Sequence, residues 1–288
     1  MASALNTKIN SYTLNRGIEF DFAVSNTPTR TGTNPLGAYS TVAGNTQPIY
    51  ESTVGPPGGS GSWKFNLSNV STSLSRLVSN TSTSTLENLG IPDGDWSVGI
   101  WFNIASIEPA ASGTFLTNIL SIAPVSTNGL SFNIRPSNSP TNPSTIGFQP
   151  NAGVDLVGPV ITPNQWHYVA TVKTGTSASY YYDGALVGTR TGLSAGGTTS
   201  SINFNGTSYL GTTTSSINLS NYYLTSSATI GATQIAEIYA IGKPSTGRTV
   251  KYYNGTSWVD SSAQKVYNGT AWIDWDAKRW DGTAWVTV

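Results

Sequence analysis

The chain has 288 residues, long enough for one large β-domain plus an accessory piece. Lys+Arg and Asp+Glu balance at 14 each and charged residues make up only 10%, which argues against nucleic acid or an anionic membrane as the main partner, because both call for a basic excess. Cysteine is absent, so neither a disulfide nor a thiolate site can exist and stability must come from the core.

Ser, Thr, Asn and Gly dominate the remainder, giving a solvent face that is polar without being charged, a composition that suits extracellular and viral surface proteins. The opening MASALNTKINSYTL has neither the basic start nor the apolar core of a signal peptide, and no apolar run reaches the roughly 18 residues of a membrane span. A protein acting outside a cell would then leave by lysis or inside a particle. A trimmed signal, or a cytoplasmic protein, reads the same way.

Residues 1–17 form a polar N-terminal arm in which Ile9, Tyr12 and Leu14 are too sparse to make a core; it is a leading strand or a docking arm. Ile18, Phe20, Phe22 and Val24 alternate with polar or small residues and predict the first sheet strand. Ser25 to Gly61 is rich in Pro, Gly, Thr and Asn and cannot sustain a central strand, since Pro lacks a donor and Gly weakens strand interiors; a loop this long is a functional rim segment or the cover of a sheet edge, and the second is favoured because long polar loops are common on sandwiches. Strand pattern returns at Trp63–Leu67 and Leu74–Val78. Asp95–Ile104 then places Trp96, Val98, Ile100, Phe102 and Ile104 on one face and Trp101 on the other, the mark of a central strand.

Short strands follow at Leu116–Ile122, Leu130–Ile134 and Thr145–Phe148, separated by Ser/Pro/Asn turns. Asn164 to Gly188 is the clearest stretch. Trp166, Tyr168, Ala170 and Val172 alternate with His167, Val169, Thr171 and Lys173, the period of a sheet with one buried face. Asp183-Gly184, between Tyr180–Tyr182 and Ala185–Val187, predicts a two-residue hairpin turn. Ile202–Phe204, Tyr209-Leu210, Ile217–Leu219, Tyr222–Leu224 and Ala228–Ile230 continue the pattern. Gln234–Ile241 reads as the last strand, with Ile235, Glu237, Tyr239 and Ile241 on one face.

A Trp-His-x-Val-Ala strand at Trp166–Ala170 followed by Tyr-Tyr-Asp-Gly at Tyr181–Gly184 resembles the laminin-G-like or concanavalin-A-like jelly-roll superfamily. GSWKFN at Gly61–Asn66, DWSVGIWFNI at Asp95–Ile104, NILSI at Asn118–Ile122, LSFNI at Leu130–Ile134, SYLGT at Ser208–Thr212 and QIAEIYAIG at Gln234–Gly242 occur in that family's order. The resemblance implies an all-β, antiparallel β-sandwich jelly roll over residues 18–243.

Beyond Gly242 to Gly247 the pattern changes, and residues 244–288 form a separate region of three repeats: Lys251–Asp260, Lys265–Asp274 and Lys278–Thr287. Trp258, Trp272 and Trp285 recur at spacings of 14 and 13. Each unit holds Asn-Gly or Asp-Gly between extended arms, a hairpin signal. A two-residue turn would set Tyr253 opposite Thr256 and Lys251 opposite Trp258, and likewise Lys265 against Trp272 and Lys278 against Trp285, with the ammonium over the indole. Val250 and Val259, then Val266 and Ile273, fall on the other face. Hairpins of this size are marginal alone, so they stack on one another, on the sandwich or on a partner. Trp258, Trp272, Trp285, Tyr253, Tyr267 and Trp280 are therefore packing anchors or sugar-stacking platforms. Tandem Tyr-Asn-Gly-Thr-x-Trp units also resemble the tails of phage minor tail and head-surface proteins, in which laminin-G-like sandwiches are frequent.

For chemistry the sequence offers little. Asp93 and Asp95, in the turn before the central strand, are candidate calcium ligands but fall short of a coordination shell; no other cofactor is implied. Retaining glycanases need two neighbouring carboxylates, which the related glucanases resemble as Glu-x-Asp-x-x-Glu, and this constellation does not occur here. Asp281-Gly-Thr-Ala-Trp285 lacks one residue of a sialidase-type aspartate box. His167, the single histidine, excludes multi-histidine metal sites and reads as a hydrogen-bonded structural residue. The sequence thus predicts a non-enzymatic phage virion surface protein, a tail or head appendage or decoration, with a lectin-like domain contacting glycans. Its partners would be other virion proteins, in a homo-oligomer, with neither nucleic acid nor membrane insertion. A dedicated carbohydrate-binding module of a secreted protein is the alternative, and a glycanase a third.

Overall fold

The computed structural model describes residues 3–12, 16–20, 49–59, 61–67, 77–78, 95–106, 117–123, 130–135, 144–150, 156–192, 201–204, 215–226 and 230–244, with six short strands between residues 251 and 287. They fall into two compact units, Met1–Lys243 and Pro244–Val288.

The first unit is two antiparallel sheets with a pair of helices on the outer side of one. Its elements in order are α1 (Ala4–Ser11), β1 (Arg16–Phe20), β2 (Ile49–Glu51), β3 (Ser62–Leu67), β4 (Leu77–Val78), β5 (Trp96–Ile104), β6 (Thr117–Ala123), β7 (Leu130–Arg135), β8 (Thr145–Pro150), β9 (Leu156–Val160), β10 (Trp166–Thr174), β11 (Ser177–Tyr182), β12 (Ala185–Arg190), β13 (Ser201–Phe204), β14 (Ser215–Ser226) and α2 (Ala232–Gly242). The eight-stranded sheet runs β12-β11-β10-β5-β14-β3-β2, and β1 pairs with the C-terminal half of β14. The six-stranded sheet runs β4-β13-β6-β7-β8-β9.

β5 lies between β10 and β14, the central place its pattern predicts. Val98, Ile100, Phe102 and Ile104 point into the space between the sheets, where they meet Phe65, Phe132, Phe148, Tyr180 and Leu219. Asp183 and Gly184 adopt φ of 49° and 78° between the paired Tyr182 and Ala185, the positive-φ pair that a tight hairpin turn of this hand requires.

Four features depart from the sequence reading. Gln234–Ile241 is helical, not the last strand. The period-two reading placed Glu237 among isoleucines; a helix instead groups Ile235, Ile238 and Gly242 on a buried face and leaves Glu237 exposed. Gln234 Oε1 accepts the Gly231 N–H at 3.2 Å and fixes the helix start. The N-terminal arm is also helical over Ala4–Ser11, and Leu5 and Ile9, one turn apart, are fully buried, so two apolar residues at the right spacing do complete a core when another helix supplies the rest.

These helices explain the third departure. β10 was expected to bury one face, but Trp166, Tyr168 and Ala170 are buried as fully as His167 and Val169, because the outer face packs beneath α1 and α2 in a second core of Leu5, Ile9, Trp101, Tyr168, Tyr223, Ile235 and Ile238. Trp101 stacks between Tyr168 (5.1 Å, 27°) and Tyr239 (5.9 Å, 12°). Gly242 passes so close that a Cβ there would lie 2.3 Å from the Trp101 ring. Beside this stack the Tyr168 and Tyr223 hydroxyls share a 2.7 Å hydrogen bond, and burial, reinforced by the neighbouring phenol, pushes the Tyr168 hydroxyl far up.

Fourth, the segments read as separate strands at Ile217–Leu219 and Tyr222–Leu224 are one strand, β14, with a register irregularity between Ser220 and Tyr223 where Asn221 takes φ 45°. Two edge strands carried no clear signal. β2 lies inside Ser25–Gly61, the stretch read as a loop, and pairs there as a three-residue edge strand; β9 contains Gly158-Pro159, which an edge tolerates. Residues 21–24, Tyr209-Leu210 and Ala228 lie outside the described residues.

Candidate functional site

The second unit consists of three separate two-stranded sheets: β15 (Lys251–Tyr253) with β16 (Trp258–Asp260), β17 (Lys265–Tyr267) with β18 (Trp272–Asp274), and β19 (Lys278–Trp280) with β20 (Trp285–Thr287). The expected register is corrected here. Tyr253 pairs with Trp258, Tyr267 with Trp272 and Trp280 with Trp285, while Lys251 stands opposite Asp260, Lys265 opposite Asp274 and Lys278 opposite Thr287. Four residues, not two, separate the paired arms. The slip is two residues, so each position keeps the strand face predicted for it and only its partner changes. All six aromatic candidates are thus brought together as three rungs, one per hairpin. Tyr252 opposite Val259 and Val266 opposite Ile273 form the alternate positions; Val250 lies outside the described residues.

In the sandwich, the candidate metal ligand Asp95 accepts the Gly175 N–H at 2.6 Å, holding the turn after β10 against the start of β5. Asp93 lies outside the described residues, and among those described no three His, Cys, Asp or Glu side chains cluster as a metal site.

His167 is buried and held on both sides. Nδ1 lies 2.8 Å from Asp183 Oδ2 and Nε2 lies 3.0 Å from the Thr162 carbonyl, so an oxygen acceptor faces the ring on each side. The ring stacks on Tyr182 (5.2 Å, 24°). Asp183 Oδ1 also accepts the Tyr168 N–H at 2.8 Å. The histidine is therefore a clamp between β10 and the hairpin turn. The remaining carboxylates with described side chains are also engaged: Glu237 with Lys8 (2.8 Å) and Tyr12 (2.7 Å), and Glu51 with Asn218 (2.7 Å) and Lys64 (3.6 Å).

The last of these belongs to a row that the sequence did not single out. On the outer face of the eight-stranded sheet, Trp166 stands opposite Asn103, Asn103 opposite Asn218, Asn218 opposite Lys64 and Lys64 opposite Ile49. Each polar member looked like the solvent half of an alternating strand. Only the strand order makes them neighbours.

Two antiparallel sheets closed on one apolar core, with β5 in the middle of the larger, define a lectin-like β-sandwich of the jelly-roll class. A family model described as the concanavalin A-like lectin/glucanases superfamily, Laminin_G_3, matches residues 78–225, from β4 to β14. The chain belongs to this family. Among solved structures, the crystal structure of the botulinum neurotoxin serotype C1 binding domain aligns with a TM-score of 0.51 at 12% identity, covering 85% of this chain and 55% of that one. The binding domain of botulinum neurotoxin DC in complex with rat synaptotagmin II aligns at 0.47 and 13%, covering 80% and 51%. The chain spans about half the length of these structures, and at 12% identity the likeness to the first is one of fold alone. No curated protein sequence matches the chain.

Proposed function

We propose that this chain is a non-enzymatic surface protein of a bacteriophage particle, a tail or head appendage, whose lectin-like sandwich contacts glycans and whose hairpin tail docks on other virion proteins in a symmetric homo-oligomer. The observation that carries this reading is the tail: three two-stranded sheets with strands of three residues each, in the same register, with an aromatic pair in every one. Sheets this small do not stand alone in water. Five of the nine tryptophans lie in residues 244–288, a segment too short to build a sizeable core for them. A docking partner would supply burial that a segment of this length cannot. Among the described side chains, Glu51, Asp95, Asp183 and Glu237 each serve a structural partner, which supports binding over catalysis.

The second reading, a carbohydrate-binding module of a secreted protein, draws on the same aromatic rungs as sugar platforms. Particles assembled with the full chain or with a chain lacking residues 244–288 separate the two. The proposal expects only the full chain to be incorporated; equal incorporation of the shortened chain would overturn the docking role.

A further inference from the structure

We infer that the polar row on the outer face of the eight-stranded sheet is a binding site for a neutral oligosaccharide, an inference that rests on the lectin-like reading above. Its boundary is sharp. Moving one row along the strands, Trp101 is 0%, Ser220 1% and Ser62 0% exposed beneath the helices and the segment at Gly61. In the next row Asn103, Asn218 and Lys64 become half-buried. The helical layer thus ends at this row and leaves a step with a polar floor. Trp166 is buried, so the open part of the row runs from Asn103 to Ile49 across four strands, about 14 Å at about 4.8 Å per spacing, room for an oligosaccharide and not only a single ring.

The chemistry of the floor suits hydroxyl groups. A carboxamide presents a donor and an acceptor in one plane, a match for adjacent hydroxyls on a sugar ring, and the row holds two of them side by side in Asn103 and Asn218. Asn218 is already oriented. Its Nδ2 donates to Glu51 Oε2 at 2.7 Å and to Ser62 Oγ at 2.9 Å, and since a carboxylate can only accept, the amide nitrogen must face Glu51 and Oδ1 is left to accept from a ligand. Such preorientation lowers the ordering cost of binding. Lys64 Nζ sits 3.6 Å from Glu51 Oε1, so the two charges offset each other and the row is net neutral. That favours a neutral glycan over an anionic one. Trp166, buried in the core beneath the helices, bounds the row at the β10 end.

The test is a ¹⁵N-HSQC titration of the full chain with maltohexaose, cellohexaose, mannohexaose and chitohexaose. The inference expects the side-chain amide signals of Asn103 and Asn218 to shift with at least one of them. Asn103→Ala should then weaken binding about tenfold, the size of one well-made hydrogen bond, at an unchanged thermal midpoint. Should that variant fold poorly, Lys64→Met tests the same row from the other side. Shifts confined to the indole N–H signals of Trp258, Trp272 and Trp285 would overturn the inference while leaving a glycan-binding protein. An absence of shifts with all four sugars would overturn both the inference and the glycan-contact half of the proposed function.

Discussion

Asp183→Ala tests the clamp at the heart of the hairpin. Asp183 sits at φ 49°, takes the Tyr168 N–H on one oxygen and His167 Nδ1 on the other, and its side chain is only 23% exposed against 7% for the histidine. Removing the carboxylate orphans two donors at about 1–3 kcal/mol each, and alanine at positive φ adds about 1 kcal/mol. Their sum runs from about 3 to 7 kcal/mol, and because the turn is partly exposed the lower part of that range applies, about 4 kcal/mol. In urea unfolding followed by far-UV circular dichroism, with a slope of about 3 kcal/mol/M, the midpoint should fall by about 1.3 M. Asp183→Gly relieves the backbone and loses only the hydrogen bonds, about 3 kcal/mol. Asp183→Asn keeps one acceptor and tolerates the backbone, so it should lose least, about 1–2 kcal/mol. An alanine variant within about 0.5 kcal/mol of the parent, or a glycine variant equal to it, would mean that Asp183 does not clamp the hairpin.

The helical layer supports three further expectations. Leu5→Ala or Ile9→Ala, each emptying a fully buried site beneath α2, should cost about 2–4 kcal/mol in the same assay. Gly242→Ala drives a Cβ into Trp101; a loss of about 1–3 kcal/mol, with a changed near-UV tryptophan signal, is expected. Hydrogen bonds from Lys8 and then Tyr12 hold the exposed Glu237 carboxyl below its usual range. Its folded pKa thus lies under the unfolded one, so its contribution is fully present above the unfolded value and fades as pH falls through the folded one. Glu237→Gln should flatten the acid side of a midpoint-against-pH curve, and an unaltered slope would exclude this contact as a source of the pH dependence.

Where the sequence was legible, one signal dominated locally. Asp183-Gly184 between aromatic arms has few alternatives to a tight hairpin, and the alternation of Trp96–Ile104 suits a central strand whatever surrounds it. Legibility failed where two periods fitted the same residues. Ile235, Ile238 and Ile241 satisfy a helical stripe, yet Ile235, Glu237, Tyr239 and Ile241 satisfy a strand if one carboxylate on the apolar side is tolerated; only the packing of α1 against α2 decides between them. Asn221 broke β14 on paper because a polar pair in an apolar run looks like a turn, whereas the sheet absorbs it as an irregularity. The tail repeat was visible as a period, but Asn-Gly suggested a two-residue turn and the arms pair two residues farther out. The outer-face row was hidden for another reason. Asn103, Asn218 and Lys64 belong to strands far apart in sequence, and their adjacency exists only once β5, β14 and β3 lie side by side.

The proposed display on a phage particle is checked by gold-labelled antibody against this chain on purified particles viewed by electron microscopy. Discrete label on the head or the tail, at positions repeated by the particle's symmetry, is the expected result. Unlabelled particles, with the same antibody binding the free protein, would contradict it.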